Sequence, residues 1–273
     1  MKTIIVATDF SAAAANAVDY AARMAVCRHK DLLLLHVYSL PLTYSDIPLP
    51  VNLEDMNNIA KGQMKTLEES LVKEHGGILN ITTQVELGTF YDVLKQTCER
   101  IDPFVVIMGS QGTTAAERFL FGGHTVYAMK HLQWPLITVP PHATFHTINK
   151  IGLACDMNDV ADTTPVKAIT TWVKDFRAQL FVLNVGNKSE YNPDSVFEAG
   201  VLEELLKDLH PEYEFITHSD TDKALIDFVA AHKIDLLMVL PKKNTGLEVI
   251  FHKSHTKKLV LHSDVPLMAL HAC

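Results

Sequence analysis

At 273 residues, with 48% hydrophobic and 21% charged side chains, the chain has the balance of a folded protein built as one large or two ordinary domains, and this excludes wholesale disorder. A formal net charge of -8 argues against nucleic acid as the main partner, because phosphate backbones are held by clustered Lys and Arg. No apolar run approaches membrane-spanning length, the opening MKTIIVATDF is stopped by Asp9 short of a signal-peptide core, and four scattered cysteines (27, 98, 155 and 273) form no C-x-x-C pair; the expectation is a cytoplasmic protein without membrane contact.

Along the first half, TIIVATD (3–9) predicts a buried strand. Ser11 to Cys27 predicts a helix, with Ala14, Val18, Ala21 and Ala25 at helical spacing and Ser11 suited to cap its start. LLLLHVY (32–38) predicts a second buried strand. A polar loop with three prolines follows, then a long helix from about Asn52 to His75. The strand ILNITTQVE (78–86), a helix opened by Gly88 and Thr89, the strand FVVIMG (104–109), a glycine-containing loop, a short helix from Thr125 to Leu132 and a last strand PLITV (135–139) complete the unit. Strands alternating with helices imply parallel pairing with helices on both faces, so this half reads as a doubly wound sheet of five strands.

The same order then starts again. IGLACDMND (151–159) resembles IIVATDFS, with Asp156 in the place of Asp9; LFVLNV (180–185) resembles LLLLHV; and IDLLMVL (234–240) resembles IDPFVVI (101–107). SHTKKLVLHSDVPLMAL (254–270) lies without a gap on GHTVYAMKHLQWPLITV (123–139), matching His-Thr, a later His and a Pro. Repetition on this scale means two homologous domains, since solenoid units are far shorter. The expected boundaries are 1–141 and 148–273, with PPHATFHT (140–147) as linker. The final strands PLITV and PLMAL are placed to pair with each other within the chain, giving a pseudo-twofold unit whose faces could dimerise again.

In a doubly wound sheet, ligands sit beyond the carboxyl ends of the strands. Asp9 ends the first strand, His36 and Val37 the second, and Met108 and Gly109 the fourth, so these residues converge. The stretch GSQGTTAAERFLFGGHT (109–125) then holds four of the chain's 12 glycines. Gly109 and Gly112 let the backbone bend toward an anion; Gly122 and Gly123 precede the expected helix, whose unpaired N–H groups carry partial positive charge; Thr125 adds a hydroxyl. A Walker loop and a G-x-G-x-x-G dinucleotide loop are both absent.

The spacing present, Gly109-x2-Gly112-x9-Gly122, resembles the ATP-binding signature of the universal stress proteins. Asp9, the His-Val pair closing the second strand and the Pro-containing final strand extend the likeness, which covers the chain as a tandem pair. The resemblance implies a flavodoxin-like three-layer α/β sandwich of the adenine nucleotide alpha hydrolase-like kind, repeated twice. It implies ATP, with or without Mg, as ligand: Asp9 and the Val37 backbone at the adenosine, Met108, Gly109 and Gly112 along the ribose and phosphates, and Gly122, Gly123, His124 and Thr125 around the phosphates. Gly123 stands where the family carries Ser or Thr, and Gln111 where many members carry a basic or imidazole group. In the second half Lys253 replaces Gly122 and the other glycines are replaced or shifted, so that domain is expected to be degenerate and mainly structural. A stress-response regulatory or interaction module follows, with unidentified protein partners. The alternatives are a scaffold that binds no nucleotide and a weak ATPase.

Other chemistry has thinner support. Fourteen histidines include His252-x-x-His255 and His142 with His146, but neither pair has a clear third ligand, so no metal site is expected. There is no G-x-S-x-G elbow, Ser110 has no assignable triad, and Cys98 reads as core; no catalytic residue is assigned. With no water-positioning Gln or Arg finger to assign, ATP hydrolysis is expected to be slow at most.

Overall fold

The computed structural model describes residues 2–39, 52–110, 115–186, 193–241, 258–260 and 262–272, excluding the side chains of 115–122 and 193–195. Gln111, Gly112 and the second-half segment 242–257 therefore lie outside the described residues. The first half runs β1 (Thr3–Ala7), α1 (Ala12–Arg28), β2 (Asp31–Tyr38), α2 (Leu53–Glu74), β3 (Ile81–Leu87), α3 (Phe90–Ile101), β4 (Val105–Gly109), α4 (Ala115–His131) and β5 (Leu136–Val139). The second runs β6 (Lys150–Ala154), α5 (Val160–Thr163), α6 (Val166–Phe176), β7 (Gln179–Gly186), α7 (Pro193–Leu206), β8 (Glu212–Thr217), α8 (Thr221–His232), β9 (Leu236–Val239) and β10 (Leu267–Ala269).

All ten strands form one sheet in the order β3-β2-β1-β4-β5-β10-β9-β6-β7-β8. Each half has the same strand order outward from the centre. Every pairing is parallel except that of β5 with β10, which sets Leu267 opposite Thr138, Met268 opposite Ile137 and Ala269 opposite Leu136. The two final strands thus join the halves as their sequences suggested, and two five-stranded sheets become one.

Central strands of a parallel sheet are covered on both faces, which is why β1 and β4 read as unbroken apolar runs. One face packs Ile4, Val6, Leu32, Leu34, Ile137 and Met238 against α1, α2, α6 and α7; the other packs Ile5, Leu33, Val106 and Leu237 against α3, α4 and α8. The first of these cores spans the halves: Phe104 stacks on Trp172 at 4.7 Å, and Trp172 stacks on Phe176 at 5.4 Å.

Helix α1 begins where expected, with Ser11 Oγ accepting from the Ala14 N–H at 3.2 Å. It ends at His29, whose left-handed backbone (φ 49) turns its N–H onto the Ala25 and Val26 carbonyls. Its buried stripe of Ala14, Ala17, Val18, Ala21 and Ala25 is nearly all alanine, so the helix lies close on the sheet.

One expectation is corrected. Helix α4 does not begin at Thr125 but at Ala115, ten residues earlier, so Gly122 and Gly123 lie inside it. Ala115-Ala-Glu-Arg-Phe-Leu-Phe121 is a run of helix-compatible residues, and its propensity carries the helix through two glycines that cost about 1 kcal/mol each relative to alanine. The segment 140–147, expected as the linker, has no helix or strand and packs against α1. Asn16 Nδ2 donates to the carbonyls of Pro140 (2.8 Å) and Ala143 (3.1 Å), and buried Phe145 meets Tyr20 edge-on at 5.2 Å. The halves also differ: the helix following the first strand is continuous in α1 but broken between α5 and α6, where Thr164 is extended ahead of Pro165.

Candidate functional site

The site is built from the turn that links β1 to α1. Asp9 Oδ1 accepts from the Ser11 N–H at 2.9 Å and Thr8 Oγ1 from the Phe10 N–H at 3.1 Å, two interlocked side-chain turns. They hold Phe10 at φ 63, a left-handed conformation that a bulky residue rarely adopts. The Phe10 ring packs on His36 at 4.5 Å between centroids, and His36 Nδ1 donates to the Thr8 carbonyl at 2.8 Å. Residues from the end of β2 therefore brace the turn that presents Asp9.

Beside this turn opens a cleft of about 640 Å³ at the carboxyl end of the first-half strands. Asp9, Val37, Met108, Gly109, His124 and Thr125, six of the nine residues singled out in the sequence, line it together. Gly112 is outside the described residues. Gly122 and Gly123 do not open a helix: in the interior of α4 a backbone N–H is committed to the carbonyl four residues back. Gly123 is exposed and is not among the lining residues.

The reasons for two other predicted residues differ from those read in the sequence. A Cβ on Gly109 would lie 2.9 Å from the Ala13 carbonyl oxygen and 3.0 Å from its carbon, so glycine is required there by the close approach of α1 to β4. The Thr125 hydroxyl, 3% exposed as a residue, donates to the Gly109 carbonyl at 3.2 Å and ties α4 to the end of β4.

Sequence reasoning missed one wall of the cleft: Leu87, Gly88, Thr89 and Phe90, where β3 passes into α3. Phe90 faces His124 with ring centroids 5.4 Å apart, closing the rim. The same rule that selected the ends of the first, second and fourth strands would have selected the end of β3. Apolar groups thus form the floor and sides, and Asp9 and His124 are the ionisable groups among the described lining residues. That suits a nucleoside-sized ligand with an aromatic base and hydroxyls for a carboxylate to accept.

The second half repeats the turn but not its surroundings. Asp156 Oδ1 accepts from the Asn158 N–H at 3.2 Å, Met157 takes the left-handed place of Phe10 at φ 52, and Asn184 Nδ2 donates to the Cys155 carbonyl at 3.0 Å, as His36 does to Thr8. Met157 is buried, however, and Glu198 reaches over from α7 to accept from the Val160 N–H at 2.8 Å. Nearby, burial pushes the Tyr213 phenol up to about 12, with Glu203 and Cys155 adding to it. Among the described residues no group of three His, Cys, Asp or Glu side chains is placed to hold a metal ion, and no helix is long and apolar enough to cross a membrane.

Comparison with known proteins agrees with this architecture. Residues 1–140, just over half of the 273, match the model of the universal stress protein family. The chain belongs to that family. Among solved structures, a universal stress protein from Archaeoglobus fulgidus DSM 4304 superposes with a TM-score of 0.69 at 15% identity, covering 99% of this chain and 96% of that one. A functionally unknown protein from Pseudomonas aeruginosa PAO1 gives 0.59 at 10% identity, covering 99% and 92%. Identities this low carry the fold alone, and they carry it over the whole tandem length. No curated protein matches the sequence. As a universal stress protein the chain keeps its recognisable family pattern in the half that holds the open cleft.

Proposed function

We propose that this universal stress protein binds an adenine nucleotide, ATP with or without Mg, in the cleft of the unit spanning 1–141, and acts as a stress-response regulatory or interaction module in the cytoplasm. The observation that carries the reading is the convergence of Asp9, Val37, Met108, Gly109, His124 and Thr125 on one cleft of about 640 Å³. That volume lies within the range of small-molecule sites. Asp9 accepts the ribose hydroxyls through the carboxylate oxygen left over from its own turn, the Val37 backbone meets the base, and the phosphates run past Gly109 and Gly112 toward His124 and Thr125. With Gly122 and Gly123 inside a helix, the His124 ring takes a larger part in phosphate contact than the glycine pattern implied.

The unit spanning 148–273 serves as a structural partner that closes the sheet. Its turn at Asp156 departs from that at Asp9 in its buried Met157 and in Glu198, which reaches from α7 to accept from the Val160 N–H. Cys27 and Cys98 are thiols, which fits a reducing compartment.

Calorimetric titration with Mg-ATP, ADP and AMP tests the reading. One site per chain is expected, and Asp9→Asn weakens it roughly tenfold or more, the loss of one charge-assisted hydrogen bond. Asparagine keeps an oxygen that can accept from the Ser11 N–H, so this variant spares the turn. Absence of heat and of any thermal shift with all three nucleotides would remove the proposal.

A further inference from the structure

Helix α4 presents His124 and Thr125 to the cleft, but two glycines stand in its middle, and interior glycines weaken a helix. Its orientation must then be set by what grips the part after them. Thr125, Ala128, Met129 and Leu132 form a buried stripe at helical spacing. The last four carbonyls of a helix have no partner within it, and two of those in α4 are met by side chains. Tyr91 Oη, from α3, donates to the His131 carbonyl at 2.9 Å. His271 Nε2 lies 3.1 Å from the Met129 carbonyl oxygen, and the contact is buried.

His271 belongs to the other half of the molecule. It leaves β10 directly after that strand has paired with β5, and so reaches across the pseudo-twofold. The contact is also one-sided. Residues 254–270 lie on 123–139 without a gap, so the position matching His271 in the first half is Pro140. Proline has no side-chain donor, and the Pro140 carbonyl is occupied by Asn16 Nδ2. The first half, which holds the cleft, receives from His271 a donor that Pro140, at the matching position, cannot return.

We infer that His271 is a positioning residue for the nucleotide cleft. By donating to the end of α4 it fixes the helix that carries His124 and Thr125, so the second half completes the site of the first. The inference rests on the reading of the cleft as a nucleotide site.

The test compares the full-length wild type with His271→Ala, His271→Leu and His271→Gln. Leucine keeps bulk without a donor, and glutamine restores an N–H at similar reach. ATP affinity is measured by calorimetry at a temperature where circular dichroism shows each variant folded, and amide exchange is followed over residues 123–131. Loss of the donor is expected to weaken ATP roughly three- to tenfold and to speed exchange in α4, as removal of one net hydrogen bond would, with glutamine within about twofold of wild type in both. Wild-type affinity in the leucine variant, or a glutamine variant no better than leucine, would overturn the inference while leaving the nucleotide reading intact. A wild type that binds no nucleotide would sink that reading and this inference together, and the exchange rates would still report whether His271 anchors α4.

Discussion

Gly109 shows how one residue can serve the site through packing. Adding a methyl group there places Cβ 2.9 Å from the Ala13 carbonyl oxygen, nearer than ordinary contact allows, and both partners are backbone. Neither can swing aside as a flexible side chain would. Gly109→Ala is therefore expected to push α1 from β4 and to destabilise the protein by about 1–3 kcal/mol, the usual penalty of overpacking. Denaturant unfolding measures it, and an unchanged midpoint would mean that the alanine-lined α1 seam yields more easily than its geometry suggests. Val6, Ile107 and Ala17 lie on the same seam, so the loss should appear in global stability. Cys98 illustrates the opposite case, a residue whose chemistry is suppressed by place: burial pushes its thiol up to about 12, as suits the core role read from its sequence position.

At the scale of elements, α4 separates what propensity decides from what pattern suggests. Gly123 is exposed, lies inside the helix, and a Cβ built on it meets nothing within 4 Å. Gly123→Ala should then stabilise the protein by roughly 0.5–1 kcal/mol, raising the melting temperature by about 2 °C. A fall instead would place Gly123 in a backbone conformation closed to alanine, as a loop ahead of a helix at Thr125 requires. The strands were legible because runs such as Leu32–Leu35 and Val105–Met108 are too short and too apolar for anything but a sheet covered on both faces. The start of α4 was not, because paired glycines were read as a breaker when the seven residues before them favour helix. The break between α5 and α6 carried a signal, Thr164-Pro165, that the sequence reading passed over. Cleft residues at the ends of β1, β2 and β4 were legible from topology, and the same rule reaches the Leu87–Phe90 wall at the end of β3, which the sequence reading passed over. Glu198 over the Val160 N–H depends instead on where α7 packs, a tertiary fact.

At the scale of the whole molecule, the question is whether two homologous units unfold as two. One apolar cluster contains Ile4 and Leu34 of the first half together with Leu153, Trp172 and Met268 of the second, and β5 pairs with β10 along three residue positions. Cores shared in this way couple their halves, because neither can open without exposing the other's apolar surface to water. The chain carries a natural pair of reporters. Trp134 lies in the first half, its Nε1 donating to Asp102 Oδ1 at 3.1 Å, and Trp172 lies in the second, 2% exposed between Phe104 and Phe176. Replacing either with phenylalanine leaves a single-tryptophan protein whose fluorescence follows one half. The expected result is that, within each variant, fluorescence and far-ultraviolet circular dichroism trace one coincident transition in denaturant, the mark of two-state unfolding. Trp172→Phe should shift its midpoint downward, since it removes part of the stack that joins the halves, while Trp134→Phe loses one exposed hydrogen bond and shifts little. Fluorescence that lags or leads circular dichroism in either variant would show that the halves melt separately. The shared core would then be an interface between independent domains, and His271 would act across a joint that can open while the first half stays folded.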